Sequence, residues 1–135
     1  MNFVQIALYF SALVYLCLGL PFLLAPAYMT SFVGVSLGSA TADNDIRAVY
    51  GGMAIGLAVF VYWAASRREF WVPALMMIAL TLAAMSLARC VSWIVVGWPD
   101  PIGFWLQGAE TLGSVVAAAL LYWLPVLTSA DREDG

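Results

Sequence analysis

The sequence predicts an all-α protein, a four-helix transmembrane bundle with both termini cytoplasmic. Three observations carry that expectation. Of the 135 residues, 64% are hydrophobic and 10% charged, whereas a soluble domain carries about 25% charged residues. The first charged side chain is Asp43, so the whole opening of the chain is uncharged. Four apolar segments each approach the ~20 residues needed to cross a hydrocarbon core about 30 Å thick. One domain fills a chain of this length, about residues 1–128, followed by a polar tail over about 129–135.

The first span runs from about Phe3 to Ala25 and is stopped by Pro26. Its end, Leu24-Ala25-Pro26-Ala27, has the small residues of a secretory cleavage site. Met1-Asn2 carries no positive side chain, however, and a run of about 23 residues exceeds the roughly 7–15 of a signal core. Bulky Leu16 before Cys17 also argues against a lipoprotein signal. The segment is therefore expected to be retained as a membrane helix. Between Pro26 and Asn44 lies the longest connection. Pro26 is placed to open a short interfacial helix bearing Tyr28, Met29 and Phe32, followed by a turn over Gly34–Ser39. A membrane-surface lid and a plain connector fit it equally.

The second span is expected from about Asp45 to Ala65, with Asp43-Asn44-Asp45 as its N-capping group, since carboxylates suit both the unpaired amides and the dipole there. It ends at Ser66-Arg67-Arg68-Glu69. The third runs from about Phe70 to Val96, with Pro73 tolerated in the first turn, and breaks at Gly97-Trp98-Pro99-Asp100-Pro101. The fourth runs from about Phe104 to Leu124 or Leu127, with Pro125 marking its boundary. The remaining Asp131-Arg132-Glu133-Asp134-Gly135 is polar and expected to fray.

An even number of spans puts both termini on one side. Arg67 and Arg68, with Arg132 in the tail, mark that side as cytoplasmic, while Asp43, Asp45 and Asp100 fall opposite. Aromatics agree with the boundaries: Tyr62, Trp63, Phe70, Trp71, Tyr122 and Trp123 at the inner interface, and Trp93, Trp98, Phe104 and Trp105 at the outer.

Composition also excludes functions. A net charge of −3 without a basic run is not the footprint of a nucleic-acid binder. With no histidine there is no bis-histidine haem or histidine metal site, and no cofactor is expected. Cys17 and Cys90 form no CxxC, so metal and dithiol chemistry lack support and both are read as small buried apolar residues. A quinone-coupled disulfide oxidase would need a loop cysteine pair. A small multidrug exporter would need an acid in the first span. A channel would need polar residues through the inner half, where there are almost none.

Three ionisable residues lie inside the apolar spans: Arg47, Arg89 and Glu110. A charge in hydrocarbon survives only when paired, hydrated or used. At 3.6-residue spacing Arg47 shares a face with Tyr50, Gly51 and Ala54, Arg89 with Ser86, Ser92 and Trp93, and Glu110 with Gln107, Thr111 and Ser114. At 1.5 Å per residue, Arg89 and Glu110 each lie roughly 10 Å inside the outer ends of their helices. They are thus level enough to pair, with Arg47 nearer the surface beside Asp43, its i,i+4 partner. Two arginines, one glutamate, Gln107, Tyr50, Ser92 and Ser114 exceed the hydrogen-bonding needs of one ion pair. They point to a polar pocket open toward the outer leaflet, where an Arg fork suits a carboxylate, a phosphate or a quinone-like carbonyl. A purely interhelical Arg–Glu lock weighs equally. Gly52-Met53-Ala54-Ile55-Gly56 is a GxxxG, and Ala109, Gly113 and Ala117 repeat the small-residue spacing. Both sets are expected to face other helices, within the monomer or in a homodimer.

The string Asn44-Asp45-Ile46-Arg47-Ala48-Val49-Tyr50-Gly51-Gly52 reads N-x-x-R-x-x-Y-G-G at the opening of the second span, followed by an arginine late in the third and a glutamate in the fourth. This pattern resembles an uncharacterised family of small four-helix bacterial membrane proteins, catalogued as a domain of unknown function, and more distantly the DoxX-like group. The resemblance covers nearly the whole chain. It implies a bacterial inner-membrane location and four helices, supplies no reaction, and marks Asn44, Arg47, Tyr50, Arg89 and Glu110 as the family's polar positions.

Three functions follow as expectations. The first is a binding module holding a small lipophilic or amphipathic ligand, such as a quinone, isoprenoid or lipid head group, through Arg47, Arg89, Glu110, Tyr50, Asn44 and Gln107. The second is a structural accessory subunit of a larger membrane complex. The third is an enzyme with Glu110 as acid/base and Arg89 or Tyr50 polarising the substrate; it is disfavoured because no second acid or histidine is available.

Overall fold

The computed structural model describes residues 3–133, with side chains through Pro125. The order of elements is α1 (Phe3–Leu24), α2 (Pro26–Ser31), α3 (Ala40–Ile46), a π-helical turn (Arg47–Gly52), α4 (Met53–Ala65), a 3-10 turn (Arg68–Phe70), α5 (Trp71–Val96) and α6 (Pro101–Glu133). No strand occurs among the described residues. Four helical stretches are long and apolar enough to cross a membrane: Phe3–Leu24, Ala40–Ala65, Arg68–Val96 and Pro101–Pro125. This is the all-α, multi-pass membrane architecture expected. The chain divides into two compact units, Met1–Glu69 and Phe70–Gly135.

In the first unit α1 lies antiparallel to α4. Tyr9 meets Tyr62 at one end, with ring centroids 5.3 Å apart, and Phe22 meets Tyr50 at the other, also at 5.3 Å. Two glycines bring these helices together. A Cβ on Gly51 would stand 2.9 Å from Leu23 Cα, and one on Gly19 would stand 2.9 Å from Ile55 Cγ1 and 3.0 Å from the Gly51 carbonyl. Small residues permit such close approach where lipid supplies no hydrophobic drive between helices. The GxxxG glycines do not serve this contact, contrary to expectation. Gly56 has nothing within 4 Å of its Cβ position, and Gly52 has only the Arg47 carbonyl at 3.8 Å. The π turn explains the difference. The Met53 amide donates to the Ala48 carbonyl five residues back, one more than in an α-helix, and the extra residue rotates the face by roughly 100°.

The second span begins earlier than expected. Ser39 is extended and its hydroxyl accepts from the Ala42 amide at 3.1 Å, so Ser39, not Asp43-Asn44-Asp45, is the N-cap. A serine hydroxyl at that position satisfies an otherwise orphaned donor. Asp43 falls in the first turn, leaving its carboxylate available to Arg47. The expected short helix after Pro26 is present as α2, with Tyr28 packed edge-on to Phe32 at 4.9 Å.

In the second unit α5 and α6 are antiparallel, joined through Gly97, whose φ of 110° only glycine adopts readily. Trp93, Trp98 and Phe104 cluster at this turn, Trp93 and Phe104 lying 5.2 Å apart. A Cβ on Gly113 would stand 2.7 Å from Leu82 Cδ1, so this glycine does face a helix. The fourth span starts at Pro101 rather than Phe104, and its helix, α6, continues past Pro125 to Glu133 rather than stopping there. Membrane helices tolerate an interior proline because neighbouring groups re-satisfy the freed carbonyl. The side chains of the tail, Arg132 included, lie outside the described residues. Cys17 and Cys90 are exposed on their helices instead of buried.

These contacts separate the glycines experimentally. Gly51→Ala places a methyl against the α1 backbone, and overpacking of this kind costs about 1–3 kcal/mol. Gly56→Ala meets open space and removes a flexible residue from a helix, a gain of roughly 0.5–1 kcal/mol. Thermal unfolding in detergent should show the first variant melting lower than the parent and the second at or above it; the reverse order would refute this packing.

Candidate functional site

The polar side chains predicted to form one pocket fall into two clusters, one in each unit. The cluster of the second unit lies along the α5–α6 seam. Arg89 Nε donates to Glu110 Oε2 at 2.8 Å and Arg89 Nη2 to Glu110 Oε1 at 2.9 Å, a bidentate pair. Its two members differ in exposure, 34% for the Arg89 side chain against 9% for that of Glu110. The carboxylate is therefore the buried partner and the guanidinium reaches outward. Charge-assisted, two-pronged pairing is among the stronger polar contacts available, and its charges cancel locally.

One helical turn away the seam continues in neutral groups. Gln107 Nε2 donates to Ser86 Oγ at 2.5 Å and to Thr111 Oγ1 at 3.2 Å, with Cys90 Sγ 3.8 Å away. The Ser86 and Thr111 hydroxyls share a hydrogen bond of 2.9 Å. Ser114 Oγ donates to the Ala79 carbonyl at 3.0 Å. Every link spans the two helices except that between Gln107 and Thr111, which stand one turn apart on α6. One atom is left over: Gln107 Oε1 is buried and has no hydrogen-bond partner among the described residues. An unmet buried acceptor costs roughly 1–3 kcal/mol, so its retention in a seam otherwise so fully paired calls for a reason.

The cluster of the first unit is built on Arg47. Its Nε donates to Asp43 Oδ2 at 2.7 Å across one helical turn, and its Nη1 donates to the Leu23 carbonyl at the end of α1. The last carbonyls of a helix lack intrahelical partners, and Pro26 has no amide proton to offer. Arg47 thus ties the start of the second span to the end of the first. Tyr50 is exposed and packs its ring on Phe22, while Asn44 is exposed on α3.

A family model described as a domain of unknown function (DUF4345) matches residues 3–124. The chain belongs to this family. No curated protein and no solved structure matches the chain. Membership in DUF4345 fixes kinship over nearly the full length and leaves the chemistry to be read from the site.

In this DUF4345 chain the predicted Arg89–Glu110 and Arg47–Asp43 pairs both form, and Gln107 joins the α5–α6 cluster through Ser86. An open groove of about 580 Å³ lies on the first unit, lined by Tyr9, Ala12, Leu13, Leu16, Ala58, Val59 and Tyr62. None of Arg47, Arg89, Glu110, Tyr50, Asn44 or Gln107 lines it. Tyr15, unremarkable in the sequence, buries a hydroxyl without a partner among the described residues. No sequence signal distinguished it from other span aromatics. Among the described residues no group of three or more cysteine and carboxylate side chains is placed to hold a metal ion.

The ion pair makes a testable unit. Arg89→Met or Glu110→Leu alone strands its partner, and breaking a buried pair costs about 3–5 kcal/mol. The double variant removes both charges and should regain most of that loss. Melting temperatures of the three variants check this; a double variant no more stable than the worse single would show that the two residues act independently.

Proposed function

We propose that this protein is a bacterial inner-membrane binding module, with both termini and the Arg67–Arg68 turn cytoplasmic, that holds a small lipophilic or amphipathic molecule. The α5–α6 seam, in the outer half of the bilayer on this orientation, engages the polar head of the ligand. The supporting observation is the second polar cluster of the seam, Gln107 with Ser86 and Thr111, one helical turn from the Arg89–Glu110 pair, with one buried amide atom of Gln107 unpartnered among the described residues. A lock alone needs the ion pair and the Ser114 bond; it has no use for an amide with an unmet acceptor. Quinones, isoprenoids and lipid head groups are the ligand classes within this reading; Arg47 and Tyr50 instead make contacts within the first unit, to Asp43 and Leu23 and to Phe22.

A second reading, a structural accessory subunit or homodimer, draws on a different feature. Gly56 on α4 has open space at its Cβ position and Gly52, four residues earlier in the π turn, meets only the Arg47 carbonyl at 3.8 Å, a surface another helix can approach closely. An enzymatic role for Glu110 fits less well, because both its oxygens accept from Arg89 and proton transfer would have to break that pair.

Native mass spectrometry of gently extracted protein separates these readings. A retained small molecule that disappears in the Arg89→Met/Glu110→Leu double variant is the expected result. A stoichiometric protein partner or a second copy with no small molecule would replace the module by the accessory role, and a bare monomer would count against both. Topology is checked by single cysteines placed at Arg68 and Asp100 in a background lacking Cys17 and Cys90. Only the Asp100 position should react with an impermeant reagent on intact cells, and labelling of both would refute the orientation.

A further inference from the structure

Small residues leave a channel where α1 and α4 run side by side. Ala12 and Ala58 are both buried and form its floor, and neither has a side chain beyond Cβ. Leu13, Val59 and Tyr62 stand exposed along its edges, so the groove of about 580 Å³ is apolar and open on one side. It reaches from the level of Tyr9 and Tyr62 to that of Leu16, roughly 10 Å at 1.5 Å per residue. Both helices belong to apolar spans, so hydrocarbon is the medium on the open side. A trough of this shape and polarity fits a linear chain.

The end of the groove at the tyrosines is marked by charge. The Tyr9 and Tyr62 rings lie 5.3 Å apart, about one helical turn from the end of α4 at Ala65. Trp63, next to Tyr62, carries the Arg67 guanidinium over its ring, 4.4 Å from the centroid. At helical spacing Trp63 stands about 40° around α4 from Val59, so this stack borders the Val59 edge of the groove. Cation–π stacking uses the face of a guanidinium and leaves its N–H edge turned outward. Arg67 is exposed, and no carboxylate pairs with it among the described residues, Asp43 and Glu110 being committed to other arginines. Arg68 and Glu69 complete the turn, so two arginines there stand against one carboxylate.

This arrangement sorts the candidate occupants. A plain hydrocarbon fills the groove and leaves the arginine edge unmet. A free phosphate meets Arg67 and leaves the groove empty. A zwitterionic phospholipid brings an ammonium group to a turn that already holds two arginines. A phospholipid of net negative charge uses both features, because an arginine fork matches phosphate oxygens and a basic turn attracts an anionic head.

We propose that the α1–α4 groove and the Arg67–Trp63 stack form one site for an anionic phospholipid. Its phosphodiester accepts from the outward edge of the guanidinium, and one acyl chain lies in the groove over Ala12 and Ala58. The site is built within the first unit and shares no residue with the α5–α6 seam, so it goes beyond the binding-module reading. With the Arg67–Arg68 turn cytoplasmic, as proposed above, the lipid is drawn from the inner leaflet.

The test uses the full-length protein in nanodiscs of equal phosphatidylglycerol and phosphatidylethanolamine with matched chains. Lipid retained on release is read by native mass spectrometry. Phosphatidylglycerol should be retained roughly fivefold over phosphatidylethanolamine, the worth of one arginine beside an anionic head group. Arg67→Gln should erase that preference while the melting temperature holds. Leu13→Trp fills the groove from its α1 edge and should lower retention of both lipids; if it does not fold, Val59→Trp fills the groove from the α4 edge. The Arg89→Met/Glu110→Leu double variant should keep the preference, and excess glycerophosphate should not displace the lipid. Equal retention of the two lipids by the unmodified protein, or a preference that survives Arg67→Gln, would overturn the head-group assignment. Undiminished retention in the groove-filling variant would overturn the acyl-chain assignment. A preference lost in the double variant would move the lipid to the α5–α6 seam, and displacement by glycerophosphate would replace the lipid by a soluble phosphate ester; either result refutes the site.

Discussion

Glu110 cannot stand in a hydrocarbon span as a lone carboxylate, and this requirement organises the second half of the molecule. Isolated ionised groups are so costly in lipid that a partner must be supplied from within the protein. Arg89 supplies it from the facing helix, using two donors at once. That geometry allows α5 little freedom to slide or rotate on α6, because a shift of one residue would move the guanidinium off both oxygens. Once this register is set, the neighbours follow: Ser86 meets Thr111, Gln107 reaches Ser86, and Ser114 reaches the Ala79 carbonyl. Gly113 closes on Leu82 where no side chain fits between the helices.

The first half solves its packing differently. α1 contains no charge at all, so its register against α4 is set by shape. Gly19 and Gly51 let the backbones approach until a methyl group at either position would collide. Arg47 then fastens the end of α1, giving the Leu23 carbonyl a donor that the chain beyond Pro26 cannot fully provide. Here the arginine serves a helix end, with Asp43 holding it in place. The same residue type thus does different work in the two units, as partner to a buried carboxylate in one and as helix-end donor in the other.

Much of this was legible in the sequence, and the reason is the bilayer. A fixed hydrocarbon thickness converts apolar run length into span number, and a fixed rise per residue converts position into depth. That arithmetic placed Arg89 level with Glu110 and Arg47 beside Asp43. Where it failed, a local irregularity had broken the period. The π turn over Arg47–Gly52 adds a residue, so the face of Gly51 packs and the face of Gly52 does not. Two adjacent glycines hinted at weakness there but not at which of them would turn inward. Ser39 displaced the Asp43 group as N-cap because several residues in one polar loop have capping chemistry, and only the backbone at Ser39 is extended. Pro125 was overvalued as a stop, since a membrane helix can carry a proline that a soluble one would not.

Among the candidate residues, Gln107 bears most on function because stability does not account for it. An apolar side chain at that position would leave the Ser86–Thr111 bond, the ion pair and the Ser114 contact in place, and would bury no unmet acceptor. By the same reasoning Arg89 and Glu110 are weak evidence for a site when taken alone, since a pair that satisfies itself is what a helix lock requires. The two explanations separate at the amide. A lock predicts that each polar atom of the seam finds its partner within the protein, and among the described residues one buried amide atom of Gln107 does not. An incomplete partner set beside a self-neutralised ion pair is what sets this seam apart from a simple helix lock.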